Sequence, residues 1–366
     1  MNRERGRKPA VSWRALTLAG ALAAIWLVFI ATTRGTFVSP RNLALLARQM
    51  SVTSLLAVGM VLVIVTGEID LSVGAMTGLL GGIAAIASVH AGWPLGLAFA
   101  AVPFLGAILG FLQGSLVAWL RVPSFIVTLG GMLVFQGALL GATGGISISP
   151  GRAFLFVGQA YLGKGLGWTL AVLLAAALAG SGMHVEGRTR WRRLGLAAVS
   201  LLFTAVMNAY EGIPLPVLLL LLVAAVFSIL ARHTPFGRRL YAIGGNREAA
   251  LYSGVRIGRH VAGVFTLMGL LCGAAGIVLT ARVGSATSDA GRLMELDAIA
   301  AAVIGGTSLV GGRGTVWGAL LGALVMASLD NGMSLMNTEP FWQPVLKGAI
   351  LVAAVAADMA GRRGAR

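Results

Sequence analysis

Long apolar runs recur from end to end of this chain, and they constrain its folding more than any other feature. Twelve stretches stand out, at 15–33, 49–66, 72–90, 94–120, 124–146, 167–182, 194–210, 213–231, 261–281, 296–312, 314–331 and 341–359. An α-helix needs about 17–25 apolar residues to cross the hydrocarbon core of a bilayer. Most of the runs meet that length, and 167–182 and 194–210 are the weakest of them, being short. The expected fold class is therefore an all-α polytopic membrane protein of about 12 transmembrane helices, with 10–12 compatible with the pattern. Composition agrees, because 57% of residues are hydrophobic and only 11% are charged, against about 25% charged in soluble domains.

The formal net charge of +16 raises nucleic acid as a partner. The basic residues, however, lie in short tracts between apolar runs and form no single basic face, which argues for topology and against nucleic acid. With the N-terminus inside, 20 of the 28 Lys and Arg fall in segments assigned to the cytoplasm. That excess has the sign of the positive-inside rule and places both termini in the cytoplasm. The expected organisation is a basic cytoplasmic N-terminus (1–14), a single transmembrane domain (15–359) and a basic cytoplasmic tail (360–366). The first apolar run extends to Thr33 without a small-residue cleavage site, so it reads as a retained helix and not a signal peptide.

Within the domain, 232–260 is the longest polar interval between strong spans and is expected on the cytoplasmic side. Gly244-Gly245-Asn246 reads as a turn, with Asn246 capping a short helix that starts at Arg247 and stops near Gly254. Leu240, Tyr241, Ile243, Leu251 and Tyr252 are too apolar for a fully solvated loop, so part of it is expected to dock. In the run 94–120, Gly106, Gly110 and Gly114 recur at the spacing that lets helices approach closely.

The segment TGEIDLSVGAMTG places Glu68 and Asp70 between two apolar runs. Asp70 can cap the helix that follows, with Ser72 as a second local acceptor and Gly74 just beyond. One cap would suffice, which leaves Glu68 unexplained. A proton relay is the functional alternative, but it needs further carboxylates along a path, and the chain has twelve acidic residues, mostly at span ends. Asp297, with Glu295 before it, reads as the N-cap of the run 296–312. Gly305, Gly306, Gly311, Gly312 and Gly314 then make the end of that run irregular or tightly packed.

Enzymatic chemistry finds no support. The sequence contains no phosphate-binding G-x-x-x-x-G-K-[ST] loop, no G-x-S-x-G and no H-E-x-x-H. His90, His184, His233 and His260 are scattered without metal-ligand spacing, and Cys272 is the one cysteine, so no internal disulfide exists. Neither a metal nor a bound cofactor is expected, and an energy source would have to come from an ion gradient or a separate ATPase.

Taken together, GEIDLSVGAMTG, TPFGRRLYAIGGNREAALYSGVRI and DAIAAAVIGGTSLVGGRGTVWGALLGAL resemble the signature segments of bacterial ABC importer permeases of the monosaccharide, ribose- and xylose-type branch. The resemblance implies that Glu248-Ala249-Ala250 and Gly254 form the coupling motif that docks onto an ATP-hydrolysing partner, with Arg238, Arg239 and Arg247 as charge contacts. It further implies a second permease copy, a cytoplasmic ATPase that uses the ATP, an extracytoplasmic sugar-binding protein, and residence in the bacterial inner membrane. The pair of runs 167–182 and 194–210 makes the chain longer than the ribose-type pattern and more similar to xylose-type permeases. Gln113, Gln136, Asp330 and Asn331 are the candidate pathway or gate residues, with helix–helix hydrogen bonding as the alternative for each. A permease for branched-chain amino acids or nucleosides, and an ion-coupled transporter acting alone, are the competing readings.

Overall fold

A computed structural model describes residues 13–183 and 187–363. The first twelve residues of the basic N-terminal tract, His184 and the last three residues of the basic tail lie outside the described part. The described residues run as fifteen α-helices: α1 (Trp13–Thr32), α2 (Pro40–Val65), α3 (Val73–Val89), α4 (Leu95–Ala118), α5 (Ser124–Thr143), α6 (Arg152–Gln159), α7 (Lys164–Met183), α8 (Arg188–Asn208), α9 (Leu215–His233), α10 (Pro235–Gly245), α11 (Arg247–Tyr252), α12 (Ile257–Val283), α13 (Met294–Ile304), α14 (Val316–Leu335) and α15 (Trp342–Arg363). A two-residue pair of strands, β1 (Tyr161–Leu162) against β2 (Ile213–Pro214), ties the connection after α6 to the one before α9.

Among the described residues, seven helices are long and apolar enough to cross a membrane, namely α2, α4, α5, α7, α9, α12 and α14. Shorter apolar stretches in α1, α3 and α15 add three more candidates. Two of the twelve expected spans fall short for physical reasons. In α8, four arginines occupy the first six residues, which dilutes the apolar run. The expected span at 296–312 is corrected to α13, whose 11 residues rise only about 16 Å, half a bilayer core. Gly305 ends that helix, and 305–315 is a loop.

Helix starts follow from local capping. Ser39 caps α2 by accepting from the Asn42 N–H, with Pro40 in the first turn, where its missing N–H costs nothing. Thr234, ahead of Pro235, caps α10 through the Gly237 N–H, and Thr315 caps α14 through the Gly318 N–H. The interval 232–260 is therefore mostly helical, with Gly244 and Gly245 inside α10 and not in a free turn.

Helices α2, α12 and α14 form the centre, each with at least 72% of its most apolar window buried, while α5 and α7 reach only 17%. Association inside lipid gains little from the hydrophobic effect, so close backbone packing has to hold this centre together. The α4–α12 pair shows how. A Cβ at Gly106 would strike the Gly269 carbonyl, at Gly110 the Phe265 carbonyl, and at Gly114 the Ala262 backbone. The small-residue stripe expected in 94–120 is thus the seam on which α4 meets α12. Helices α7 and α8 pack chiefly on each other at the periphery, joined near their far ends by the Asn208 side chain donating to the Lys164 carbonyl (3.1 Å).

Candidate functional site

The chain ends of α2, α4, α9 and α13 and the starts of α5, α12 and α14 gather at one end of the bundle, together with α10 and α11. Three distant sequence segments meet there. Gly312, at the turn between α13 and α14, donates its N–H to the Val65 carbonyl at the end of α2 (2.9 Å). Gly311 and Gly312 hold φ near +90° and +72°, a conformation that disfavours other residues. Gly244 of α10 presses against both Val65 and Gly312, leaving no space for a Cβ. The Tyr241 hydroxyl donates to the Gly314 carbonyl (2.9 Å), and burial holds that phenol above its ordinary value of 10.0, so it remains a donor.

Glu68 completes the junction. It is buried at 8% exposure and accepts from Arg247 Nη1 at 2.9 Å. Arg247 is the first residue of α11, and Asn246 caps that helix by accepting from the Ala249 N–H (2.9 Å). Gly254 turns the chain away afterwards at φ +78°. The carboxylate that a single helix cap left unexplained is thus the anchor of a short helix 179 residues further along.

Asp70 points elsewhere. The cap expected at Asp70 is corrected: the capping position of α3 is Ser72, without a side-chain bond to the helix. Asp70 Oδ1 instead accepts from the N–H (2.8 Å) and the hydroxyl (2.7 Å) of Ser72, fastening the turn that leads into α3. The Ser72 hydroxyl also lies 3.1 Å from Gln113 Oε1 on α4. Gly74 lets α3 lie against the Glu295 side chain and the Gly291 backbone. The N-cap expected at Asp297 is corrected. The capping position is Leu293, without a side-chain bond, and Asp297 sits within α13.

The helix α11 is built to present one face. Ala250 is buried, and Leu240 and Ile243 anchor α10 beneath it, whereas Leu251 is 59% and Tyr252 88% exposed. Glu248, Ala249, Arg238 and Arg239 are exposed on the same end. Beside α11 lies an open cleft of about 830 Å³, lined by Glu68, Trp119, Ser124, Arg247, Leu251 and Arg256 among others. Large apolar side chains held out on a rigid, capped helix suit docking to another protein.

The four candidate pathway residues are not brought together. Gln113 is buried between helices, with Nε2 unpartnered. Asn331 exchanges two hydrogen bonds with Asn42 on α2, at 2.8 and 3.0 Å. Asp330 pairs with Lys347 of α15 at 3.0 Å, and Asp297 pairs with the same ammonium at 2.9 Å. Gln136 is exposed on α5. Sequence reading assigned Lys347 no role, and nothing local marks it, because both partners lie on other helices.

Residues 42–355 match the family described as branched-chain amino acid transport system / permease component. The chain is 46% identical to the xylose transport system permease protein XylH of Escherichia coli (strain K12), covering 97% of this chain and 94% of that protein. It is 43% identical to XylH of Haemophilus influenzae over 94% of this chain and 95% of the relative. The ribose import permease protein RbsC of Bacillus subtilis is 36% identical, over 91% of this chain and 89% of its own. No solved structure matches the chain.

Proposed function

The chain belongs to the branched-chain amino acid transport system / permease component family, and from that premise we propose that it is the permease subunit of a bacterial inner-membrane importer for a monosaccharide, with xylose the favoured cargo. The favoured cargo rests on the names of the relatives, which carry xylose at 46% and 43% identity and ribose at 36%. The family description names branched-chain amino acids instead, so that cargo is the second reading. An ATPase subunit and an extracytoplasmic binding protein are the partners this role implies, and a second copy of the chain completes the assembly.

The observation that carries the mechanism is the Glu68–Arg247 pair at 2.9 Å. It ties α11 to the turn between α2 and α3. In this reading α11 lies in the cytoplasm, together with both termini. The ATPase grips the exposed Tyr252, Leu251 and Glu248 face, and its closure on ATP displaces α11. Because α11 is only six residues long and is capped at its start, it moves as a unit. Glu68 then passes the displacement to α2 and α3, while Gly312 on Val65 carries it to α13 and α14. Only differential contacts between the two states of the bundle can make such a push do work.

Reconstitution tests the proposal. Proteoliposomes holding this chain and its ATPase, supplied with binding protein and labelled xylose, are expected to accumulate sugar only with ATP inside. Labelled leucine in the same vesicles reads the second cargo. Uptake driven by a proton or sodium gradient in the absence of ATPase would overturn the coupling reading.

A further inference from the structure

Charged side chains are exposed at a depth where lipid would not tolerate them. After α12 the chain does not leave the bundle at once. Residues 284–293 turn back alongside α3, with Gly291 packed on Gly74 and Ala290 on Gly78. Asp289 and Arg292 in this stretch are exposed, and among the described residues neither belongs to an ion pair. Together with Gln136 and Ser288 they line a cleft of about 440 Å³ whose other walls include Leu133 and Leu140 of α5.

The depth follows from helix geometry. Gln136 lies about 18 Å along the 30 Å of α5, and Leu133 and Leu140 bracket it at about 14 and 24 Å, at 1.5 Å rise per residue. The start of α3 is itself inset, because Ser72 meets Gln113 well before the end of α4. The cleft is thus near the middle of the bundle's height. It interrupts an outer face of α5 that is otherwise apolar, with Phe125, Leu129 and Val134 exposed. A carboxylate and a guanidinium facing hydrocarbon at this depth are strongly disfavoured, and such groups normally face a water-filled path. Non-helical backbone at membrane depth occurs in the same setting.

We propose that Gln136, Ser288, Asp289 and Arg292 form a hydroxyl-binding station for sugar on the aqueous face of the permease. The chemistry fits a neutral polyol. A carboxylate accepts hydroxyl protons, a guanidinium donates to hydroxyl or ring oxygen, and the carboxamide and serine do both. The opposite charges leave no net preference for an ion, and Leu133 and Leu140 offer an apolar wall to the C–H face of a pyranose. The identity of the ligand rests on the importer reading above, while the water exposure of the cleft rests on geometry alone.

Cysteine labelling separates the two. Native Cys272 is fully buried, so Gln136→Cys and Ser288→Cys each place one accessible thiol in the cleft. In the full importer, both are expected to react with a membrane-impermeant thiol reagent, and 10 mM xylose is expected to slow the reaction at least threefold. Failure of both to react in the resting and the ATP-bound importer overturns an aqueous cleft. Reaction that xylose does not slow, in an importer that carries xylose, overturns the station while leaving the importer reading intact. Absence of any ATP-driven xylose uptake by the unmodified importer counts against the importer reading instead. As a functional readout, Asp289→Asn and Arg292→Gln are expected to lower sugar imported per ATP hydrolysed about tenfold while binding-protein-stimulated ATP hydrolysis persists. An import-to-hydrolysis ratio within twofold of the parent in both variants also overturns the station.

Discussion

Lys347 of α15 holds together α13 and α14, whose facing carboxylates would otherwise repel. Its ammonium lies 2.9 Å from Asp297 Oδ2 on α13 and 3.0 Å from Asp330 Oδ2 on α14, and its side chain is only 18% exposed. Each carboxylate has its other oxygen buried without a hydrogen-bond partner, and among the described residues only Asp330 has a second cation within electrostatic reach, Arg282. Lys347→Met keeps the aliphatic volume and removes the charge. Two carboxylate oxygens, each about 3 Å from the lost ammonium, are then left no more than about 6 Å apart, where like charges repel by about 3 kcal/mol or more at an effective dielectric of 20. Removing one partner of a buried pair costs about 3–5 kcal/mol overall, and α15 is the element expected to loosen. The assay is the midpoint of heat-induced loss of the monodisperse peak for purified protein in detergent. Lys347→Met is expected to lower that midpoint by several degrees, and Lys347→Met combined with Asp297→Asn and Asp330→Asn to recover more than half of the loss. A single variant that melts with the parent, or a triple variant no better than the single, refutes the triad as the fastening of α15.

Other consequences are open to test. Glu68→Ala and Arg247→Ala are expected to leave melting nearly unchanged, since an ion pair with a half-exposed arginine contributes at most about 1 kcal/mol, yet to cut ATP-driven uptake severalfold. The exchanged pair Glu68→Arg with Arg247→Glu should recover part of that uptake, and no recovery would mean the two residues act separately. Glu248→Ala and Gly254→Asp are expected to weaken co-purification of the ATPase while the permease still inserts, measured by pull-down from solubilised membranes. Asn42→Leu and Asn331→Leu should each destabilise the fold, and the double variant less than their sum, with a coupling of about 0.6–1.7 kcal/mol read from a double-mutant cycle of melting curves.

How far the sequence anticipates this structure depends on what kind of information each element carries. Apolar length alone places α2, α4, α5, α9, α12 and α14 within a few residues, apart from the earlier start of α2, because lipid imposes that length on each helix separately. The cap at Asn246 was legible for a similar reason, since it acts three residues away. Hydropathy could not show that 296–312 is a half-length helix followed by a loop, because alanine, glycine and valine are equally apolar in either form. The short helix α6 escaped notice, having eight residues and no span to announce it. Long-range pairs were beyond any local reading: nothing near Glu68 points to Arg247, and nothing near Lys347 points to its two carboxylates.

One arrangement links the parts. The Glu68 turn, the α10–α11 segment and the glycine loop before α14 are far apart in sequence, and each alone is a weak motif. They meet through main-chain contacts, with Gly244 on Val65 and Gly312 on both. Contacts between backbones have little slack, since no flexible side chain lies between them to absorb a displacement. A junction of this kind transmits small movements more faithfully than one made of long side chains. Its glycines serve that stiffness, because any Cβ at Gly244 would force α10 away from α2. Gly244→Val is accordingly expected to separate docking from transport, retaining the ATPase on the exposed face of α11 while ATP hydrolysis no longer moves sugar. Normal uptake by that variant would show that the force travels by another route.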